Sequence, residues 1–387
     1  MDFDLQWLLL GLPVAFAFGW LASRLDLRQW RKVEQDSPRA YFKGLNLLLN
    51  EQQDKAIDAF IEAVQHDPGS SDLHFALGNL FRRRGEYERA VRVHQHLVVR
   101  GDLPDTERHR AQFALAQDYH KAGLFDRAEQ AFKALDGTDF ATEARLAVLT
   151  LHERARDWKS AIEVARSLEA VAAGSFAQQI SHYWCELAQE ADARGLTVEA
   201  ESMLNKAREA APQSPRPLVM AGQRLARQGR HEEALALWTP LMTVHPGAFS
   251  VIAAEYAATS TACGRAAEAL EQLQRLQALS PSSDVLAAVL KLQNDPDQRR
   301  DLLFRQLQQH PTLTAAQGLL RELSSTQSGS AARAEEWAAL QQAVTGAARP
   351  LQRYRCAACG FEAQQYFWQC PGCQGWETYP PRRLEDH

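Results

Sequence analysis

The sequence predicts an all-α protein of stacked helical hairpins, with a transmembrane helix at the amino terminus and a small metal-binding knuckle at the carboxyl terminus. Three observations lead to this prediction: an uncharged apolar run near the start, a residue pattern that repeats every 34 positions, and two closely spaced pairs of cysteines near the end. The 387 residues exceed one typical domain. A net charge of −5 offers no overall attraction to phosphates, which argues against a nucleic-acid-binding protein.

The first predicted element is a transmembrane anchor at residues 1–23. No residue between Asp4 and Arg24 is charged, and Gln6 is the one strongly polar residue in the run over residues 5–22. A helix of this length reaches about 27 Å, close to the hydrocarbon thickness of a bilayer. Trp7 and Trp20 lie near its two ends, where amphipathic rings prefer to sit.

Two other interpretations of this run are a cleaved signal peptide and a buried helix of a globular domain. Ala15-Phe16-Ala17 supplies the small-x-small pattern of a cleavage site. A signal peptide begins with positive charge, however, whereas this chain begins with Asp2 and Asp4, and the apolar run continues beyond the candidate cut. These flanks favour the anchor.

The orientation of the anchor follows from the charges beside it. No Lys or Arg precedes the run, whereas the juxtamembrane segment, residues 24–36, is basic and contains Arg24, Arg28, Arg31 and Lys32. Because Lys and Arg are retained on the cytoplasmic side of a membrane, we expect the rest of the chain to face the cytosol.

Residues 37–311 repeat with a period of 34. Small residues and prolines recur at this separation, as in the pairs Gly44 and Gly78, Ala56 and Ala90, Ala200 and Ala234, and Pro212 and Pro246. The pattern resembles the tetratricopeptide repeat family, whose units are helical hairpins with small residues at the eighth and twentieth positions. The resemblance implies a superhelix of stacked hairpins, because one hairpin cannot bury its apolar face alone.

Some stretches fit the repeat less well. The unit around Ala161 has Arg156 where a turn glycine is usual, and between Asp284 and Pro311 the period shortens, which predicts degenerate or capping hairpins. Residues 312–350 are expected to hold terminal helices and a linker, with Ser- and Gly-rich residues 324–330 followed by a helix over residues 331–344.

A stacked array of this family presents a concave surface that usually binds a peptide or a protein. The first helix of each hairpin lines that surface by the geometry of the family. For the second and third repeats this predicts the groove residues Phe75, Asn79, Arg82, Phe113, Gln117 and His120. The alternative, that each of these side chains is simply packed or solvated, stays open.

The carboxyl-terminal residues 351–387 contain two CxxC pairs. Cys356 and Cys359 form the first pair, and after ten residues Cys370 and Cys373 form the second. Paired spacing of this kind places four thiolates at the corners of a tetrahedron, as in all-cysteine sites for zinc or iron. Disulfides or four unrelated thiols are the alternatives, and both a cytosolic location and the paired spacing disfavour them.

The two pairs, CxxCG and CPxC, resemble a rubredoxin knuckle pair. Only ten residues separate them, so most of the chain between the knuckles of rubredoxin is missing and electron transfer is not expected. About 30 residues bury too little surface to fold alone, so metal binding should supply folding energy, and the knuckle should dock on the repeats. The other cysteines, Cys185 and Cys263, are predicted to be small core residues.

The sequence offers no recognisable catalytic constellation. His231-Glu232 lacks the second histidine of a metalloprotease helix because Leu235 stands at that position, and no glycine-rich phosphate loop occurs. A four-thiolate site also leaves no open coordination position for a reactive water. We therefore expect a protein that is not an enzyme.

The order of the three parts resembles the lipopolysaccharide assembly protein B family of Gram-negative bacteria over essentially the whole chain. The resemblance implies a single-pass inner-membrane adaptor with its bulk on the cytoplasmic side. Its implied partners are a membrane-bound AAA+ protease (FtsH-like) and the deacetylase (LpxC-like) that commits precursors to lipid A synthesis, whose degradation limits lipopolysaccharide production. A general assembly scaffold for envelope enzymes and a redox module are the alternatives.

Overall fold

The structure is a computed structural model that describes residues 16–20, 42–326 and 331–386. The described residues form two compact units, divided between His152 and Glu153. Residues 16–20 are helical, and the rest of the predicted anchor lies outside the described residues. Within the described ranges no helix is both long and apolar enough to cross a membrane.

The first unit consists of helical hairpins. A short helix at residues 42–49 pairs with α1, and the pairs α2–α3 and α4–α5 follow, after which α6 leads across the division between the units. The bounds are α1 Gln53–His66, α2 Ser71–Arg84, α3 Tyr87–Val99, α4 Asp105–Lys121, α5 Phe125–Lys133 and α6 Ala141–Ala155. This confirms the predicted repeat of hairpins.

The second unit continues with helical hairpins and ends in the cysteine-rich knuckle. Its helices are α7 Trp158–Ala170, α8 Ala177–Ala193, α9 Thr197–Ala210, α10 Pro215–Arg227, α11 His231–Trp238, α12 Leu241–Val244, α13 Pro246–Ser250, α14 Ala253–Ala262, α15 Ala266–Leu279, α16 Ser283–Leu292, α17 Pro296–Gln309, α18 Leu313–Thr326 and α19 Ala331–Leu351. The last of these runs seven residues beyond the predicted end at residue 344.

Small residues occur in the repeat because the two helices of a hairpin cross closely. A Cβ atom added at Gly78 would lie 2.5 Å from His94 Nε2, and one added at Gly222 would lie 2.2 Å from Trp238 Nε1. Both distances are far below van der Waals contact, so no larger residue fits without movement of the helices. Arg156, which stands in place of the usual turn glycine, has a φ of 57° and thus adopts the left-handed conformation that the turn requires.

The core follows the same periodicity. The alanines at the twentieth position of each repeat are at most 2% exposed, and they are Ala56, Ala90, Ala128, Ala161, Ala200, Ala234 and Ala269. In the second unit, one core cluster contains the bulky side chains of Trp238, Phe249 and Tyr256. Cys185 is fully buried, as expected of a core residue, whereas Cys263 is only partly buried.

Candidate metal centre and its contacts with the repeats

The four cysteines lie on two similar turns. In the first turn, Cys356 N donates to Phe361 O and Gly360 N donates to Cys356 O, each at 2.9 Å. Gly360 has a φ of 76°, a conformation that glycine adopts without strain. Strands β1 (Tyr354–Arg355) and β2 (Glu362–Ala363) pair in antiparallel fashion around this turn and fix its two ends.

The second turn repeats these contacts. Cys370 N donates to Gly375 O at 2.9 Å, and Gln374 N donates to Cys370 O at 2.8 Å. An antiparallel bridge between Gln369 and Trp376 closes the turn in place of a strand pair. The two turns therefore present their cysteine side chains toward each other.

The sulfur geometry fits a tetrahedral metal ion. All four Sγ atoms lie within 4.8 Å of one another. Cys356 and Cys373 have their Sγ atoms 3.8 Å apart, and those of Cys359 and Cys370 are 3.7 Å apart. A tetrahedral ion with metal–sulfur bonds of about 2.3 Å requires sulfur separations of about 3.8 Å, far longer than a disulfide bond. The four cysteines are thus placed as ligands for one metal ion.

Hydrogen-bond donors favour the thiolate form of Cys356. The hydroxyl of Thr378 lies 3.3 Å from Cys356 Sγ. Burial raises the pKa of Cys356, but this hydroxyl and the backbone amides of Cys359 and Ala358 outweigh it and lower the pKa to about 6. A metal ion needs deprotonated cysteines, so these donors favour metal binding at Cys356.

The two cysteines of each pair also differ in access to solvent. The first cysteine of each pair, Cys356 and Cys370, is 1% exposed and packs with Tyr354 and Tyr379 in a small apolar core. The second of each pair, Cys359 and Cys373, is exposed. One edge of the site therefore faces solvent while the other is sealed by aromatic rings.

The knuckle docks on the repeats through Trp376. Its ring stacks on His182 of α8, with centroids 4.7 Å apart and an interplanar angle of 9°. Its Nε1 donates to Glu153 Oε1 at 2.9 Å, and Trp158 and Tyr183 meet its edge at 6.0 Å. This aromatic anchor joins the knuckle to three helices, α6, α7 and α8.

Charged residues, of which Arg216 and Glu186 are buried and Glu377 is exposed, surround this anchor. Arg216, 2% exposed, donates to Glu186 Oε1 at 2.6 Å and lies 5.5 Å from the ring of Trp376. Glu377 Oε1 accepts from Gln178 Nε2 at 2.5 Å and lies 3.3 Å from His182 Nε2. Burial lowers the pKa of His182, although Glu377 acts in the opposite direction. The lowered pKa favours a neutral ring, which donates a hydrogen bond from Nε2 to Glu377.

The carboxyl-terminal tail contacts the later helices. Arg383 pairs with Asp284 at 2.6 Å, and the hydroxyl of Tyr354 donates to the other oxygen of that carboxylate at 2.6 Å. Asp386 accepts from the backbone N and hydroxyl of Ser283 at the start of α16, and Glu385 accepts from the backbone N of Thr314 at the start of α18. Carboxylates at helix amino termini satisfy unpaired N–H groups and are stabilised by the helix dipole. The expected docking is therefore present along much of the second unit.

The candidate groove residues of the first unit are placed differently from one another. Phe75 is 2% exposed and packs in a core cluster with Leu97 and Ala111, so the packing alternative applies to it. Arg82 donates to Asp118 Oδ1 at 2.8 Å and also to Asn79 Oδ1 at 2.5 Å, so both groove candidates already have partners within the array.

The other three groove candidates are half-buried on α4. Phe113 packs against Phe132 and Phe140, and His120 lies 6.0 Å from the ring of Phe125. Gln117 lies between them on the same helix. Their role in binding a partner stays a prediction.

Sequence reasoning missed the polar residues that receive the knuckle. His182, Glu186 and Arg216 do not belong to the small-residue pattern that reveals the repeat. One signal could have found them: Arg216 follows His182 by 34 residues, one full period, so both occupy the same place in adjacent hairpins. Polar residues at equivalent positions on the first helices of adjacent repeats indicate a shared surface.

Comparison with known proteins agrees with this architecture. Residues 354–381 match the rubredoxin metal binding domain model, and residues 73–107 match the tetratricopeptide repeat model. Lipopolysaccharide assembly protein B of Escherichia coli K12 is 34% identical over 385 residues, covering 98% of both chains. The chain belongs to the lipopolysaccharide assembly protein B family.

A second member of the lipopolysaccharide assembly protein B family, from Haemophilus influenzae, is 26% identical and covers 99% of this chain and 100% of its own. A solved tetratricopeptide repeat protein from Parabacteroides merdae aligns with 67% of this chain at 16% identity and a TM-score of 0.34. The match to members of the family extends through the repeats and the cysteine knuckle alike, so both belong to the architecture of the family.

Proposed function

We propose that the chain acts in lipopolysaccharide assembly as an inner-membrane adaptor, which promotes degradation of the lipid A pathway deacetylase by a membrane-bound AAA+ protease. The observation that carries the proposal is the similarity to lipopolysaccharide assembly protein B of Escherichia coli, which extends over 98% of both chains. An adaptor needs a binding surface and a means of confinement rather than reactive groups. The repeats supply surface, and the apolar run at residues 5–22 would supply confinement.

The knuckle supports an architectural role for the metal. All four ligand positions are cysteines, so a tetrahedral ion would have no open position for substrate. The knuckle and the tail that follows it make contacts from Glu153 to Thr314, across many hairpins of the second unit. A metal ion would thus hold the carboxyl terminus against the repeats and keep their surface in one arrangement.

The experiment is to measure the lifetime of the deacetylase after protein synthesis is stopped. Cells would carry the full chain, a chain lacking residues 1–23, a Cys356→Ser chain, or no copy of the protein. We expect rapid turnover with the full chain and slow turnover in the other three. Cys263→Ser, which changes a cysteine outside the metal site, is the matched control and should leave turnover rapid.

Equal lifetimes in all of these cells would contradict the proposal. A general scaffold for envelope enzymes would then account better for the family relationship, because it would bind several proteins without changing how long they last.

A further inference from the structure

One repeat of the second unit departs from the others at two positions. The residue thirteen places before the repeat alanine is large and apolar in the other internal repeats and is at most 6% exposed; these residues are Leu77, Leu115, Val148, Leu187 and Tyr256. In the repeat formed by α10 and α11 the same position is Ala221, which is partly exposed. A side chain that fills the space between adjacent hairpins elsewhere is therefore missing here.

The second departure lies two residues after the repeat alanine. In the other repeats this position is an exposed polar residue, namely Asp58, Arg92, Gln130, Glu163, Ser202 or Glu271. In this repeat it is Ala236, which is also exposed. An exposed polar residue of the other repeats is thus replaced here by a small apolar one.

The two alanines line the same cavity. It has a volume of about 350 Å³ and lies among α9, α10 and α11, with an apolar floor formed by Leu204, Ala221, Leu225, Ala236 and Leu237. Such a volume is at the lower end of the range for ligand sites. Both departures enlarge this one space, so the residues that distinguish this repeat contribute directly to the cavity.

The rim of the cavity is polar and partly unengaged. Arg230 is paired with Glu233, and Arg224 is paired with Asp192. Arg208 and Glu201, in contrast, are exposed and have no ion-pair or hydrogen-bond partner among the described residues. A free guanidinium beside an apolar floor suits a carboxylate that adjoins an apolar group.

Two amide side chains on the rim complete this arrangement. Asn205 and Gln228 likewise have no side-chain hydrogen bond to another described residue. A side-chain amide both donates and accepts, which matches a peptide unit and not a hydrocarbon tail.

From these features we infer that the cavity, called here the alanine pocket, binds one large apolar side chain of a partner protein in a segment that places an acidic residue next to it. The apolar side chain occupies the space vacated at Ala221, and the acidic side chain pairs with Arg208. The inference goes beyond the proposed adaptor role and does not depend on it, because the pocket can be tested with purified protein and a synthetic peptide.

The test uses the full chain in lipid nanodiscs and the fluorescein-labelled peptide Ser-Glu-Leu-Glu-Ser, with fluorescence anisotropy as the readout. Companion peptides replace Leu with Ala or both Glu residues with Lys. Ala221→Leu and Ala236→Glu restore the kinds of residue found in the other repeats and should therefore fold normally, which a thermal melt checks. Ala170→Leu adds the same atoms at an exposed helix end outside the pocket and is the matched control.

We expect saturable binding of the Glu-Leu peptide to the unchanged chain and to Ala170→Leu. Binding should weaken about tenfold or more in Ala221→Leu and Ala236→Glu, because the apolar space is filled or made charged. Arg208→Gln should weaken binding severalfold, whereas Arg194→Gln, on an exposed arginine away from the pocket, should not. The Ala and Lys peptides should bind weakly to every variant.

Three results would overturn the inference. The first is no saturable binding of the peptide up to ~1 mM, a range that covers weak peptide recognition. The second is equal affinity of the Glu-Leu peptide for Ala221→Leu and for the unchanged chain. The third is equal affinity of the Lys peptide and the Glu-Leu peptide for the unchanged chain. Binding of octanoate to the chain without binding of the peptide would likewise reject a peptide occupant and assign the pocket to a lipid.

Discussion

Replacing Trp376 with alanine should release the knuckle from the repeats while leaving the cysteines intact. The indole stacks on His182 at 4.7 Å, meets Trp158 at 6.0 Å, and lies 5.5 Å from the Arg216 guanidinium. It also donates from Nε1 to Glu153. These contacts join the knuckle to four helices, α6, α7, α8 and α10, so the substitution removes most of the aromatic anchor at once.

The magnitude follows from burial and hydrogen bonding. Truncating a tryptophan in a protein core costs about 3–5 kcal/mol, and because Trp376 is only partly buried we expect about 3 kcal/mol. Loss of the hydrogen bond from Trp376 Nε1 adds little to this free energy, since Glu153 keeps a hydrogen bond from the Tyr183 hydroxyl at 2.7 Å. A change of about 3 kcal/mol corresponds to roughly a hundredfold increase in local opening.

Hydrogen exchange followed by mass spectrometry measures this opening directly. Peptides from residues 354–381 should exchange about a hundredfold faster in Trp376→Ala, whereas peptides from α2 and α3 in the first unit should be unchanged. Trp376→Phe keeps an aromatic ring for stacking but loses part of the indole surface and the N–H donor, so it should cost about 1 kcal/mol. Equal exchange in Trp376→Ala and the unchanged chain would refute the idea that this ring anchors the knuckle.

Other predictions concern the metal site, pH and the hairpin crossings. Cys373→Ser should lose about one metal ion per chain by elemental analysis, because three cysteines leave the tetrahedral site incomplete; full metal retention would contradict this. Burial lowers the pKa of His182, so as pH falls this histidine is protonated in the unfolded chain before it is protonated in the folded one. The free energy of unfolding should therefore keep its full His182 contribution above about pH 6.5 and decrease below it. In urea titrations His182→Gln should make this decrease smaller. Gly222→Ala should destabilise the second unit by about 1–3 kcal/mol, because the new methyl would overlap the indole of Trp238, and an unchanged melting temperature would show that the helices can separate freely.

The repeat and the metal site could be predicted because both depend on local spacing. Each hairpin needs small residues where its helices cross, as at Gly78 and Gly222, and this need recurs at a fixed period. The CxxC pairs are likewise short turns whose own backbone hydrogen bonds orient the sulfurs. Both features can therefore be recognised from the spacing of residues in the sequence.

The surface that receives the knuckle could not be predicted in the same way. Trp376 stacks on His182, which lies 194 positions earlier in the chain, and no local rule relates the two. The burial of Phe75, a candidate groove residue, could not be predicted either, because repeat geometry gives the face of a helix but not the depth to which neighbouring helices cover it. Such contacts depend on how hairpins stack.

The tail shows a further limit of sequence reasoning. In the sequence, Glu385 and Asp386 look like ordinary acidic residues of the tail. In the structure, each accepts a hydrogen bond from a backbone N–H at the amino terminus of a helix. Acidic residues favour helix amino termini in general, but the sequence does not reveal that the helix in question lies some 70 to 100 residues earlier. Only the folded arrangement brings them together.

Hydrogen exchange of the full chain before and after removal of its metal tests most directly whether the metal holds the carboxyl terminus against the repeats. After removal by a chelator, we expect faster exchange in residues 354–381 and also in the first turns of α16 and α18, whose N–H groups are held by Asp386 and Glu385. Peptides from the first unit should be unaffected. If α16 and α18 exchange at the same rate with and without the metal, the knuckle folds and docks independently of it, and the architectural role assigned to the metal is wrong.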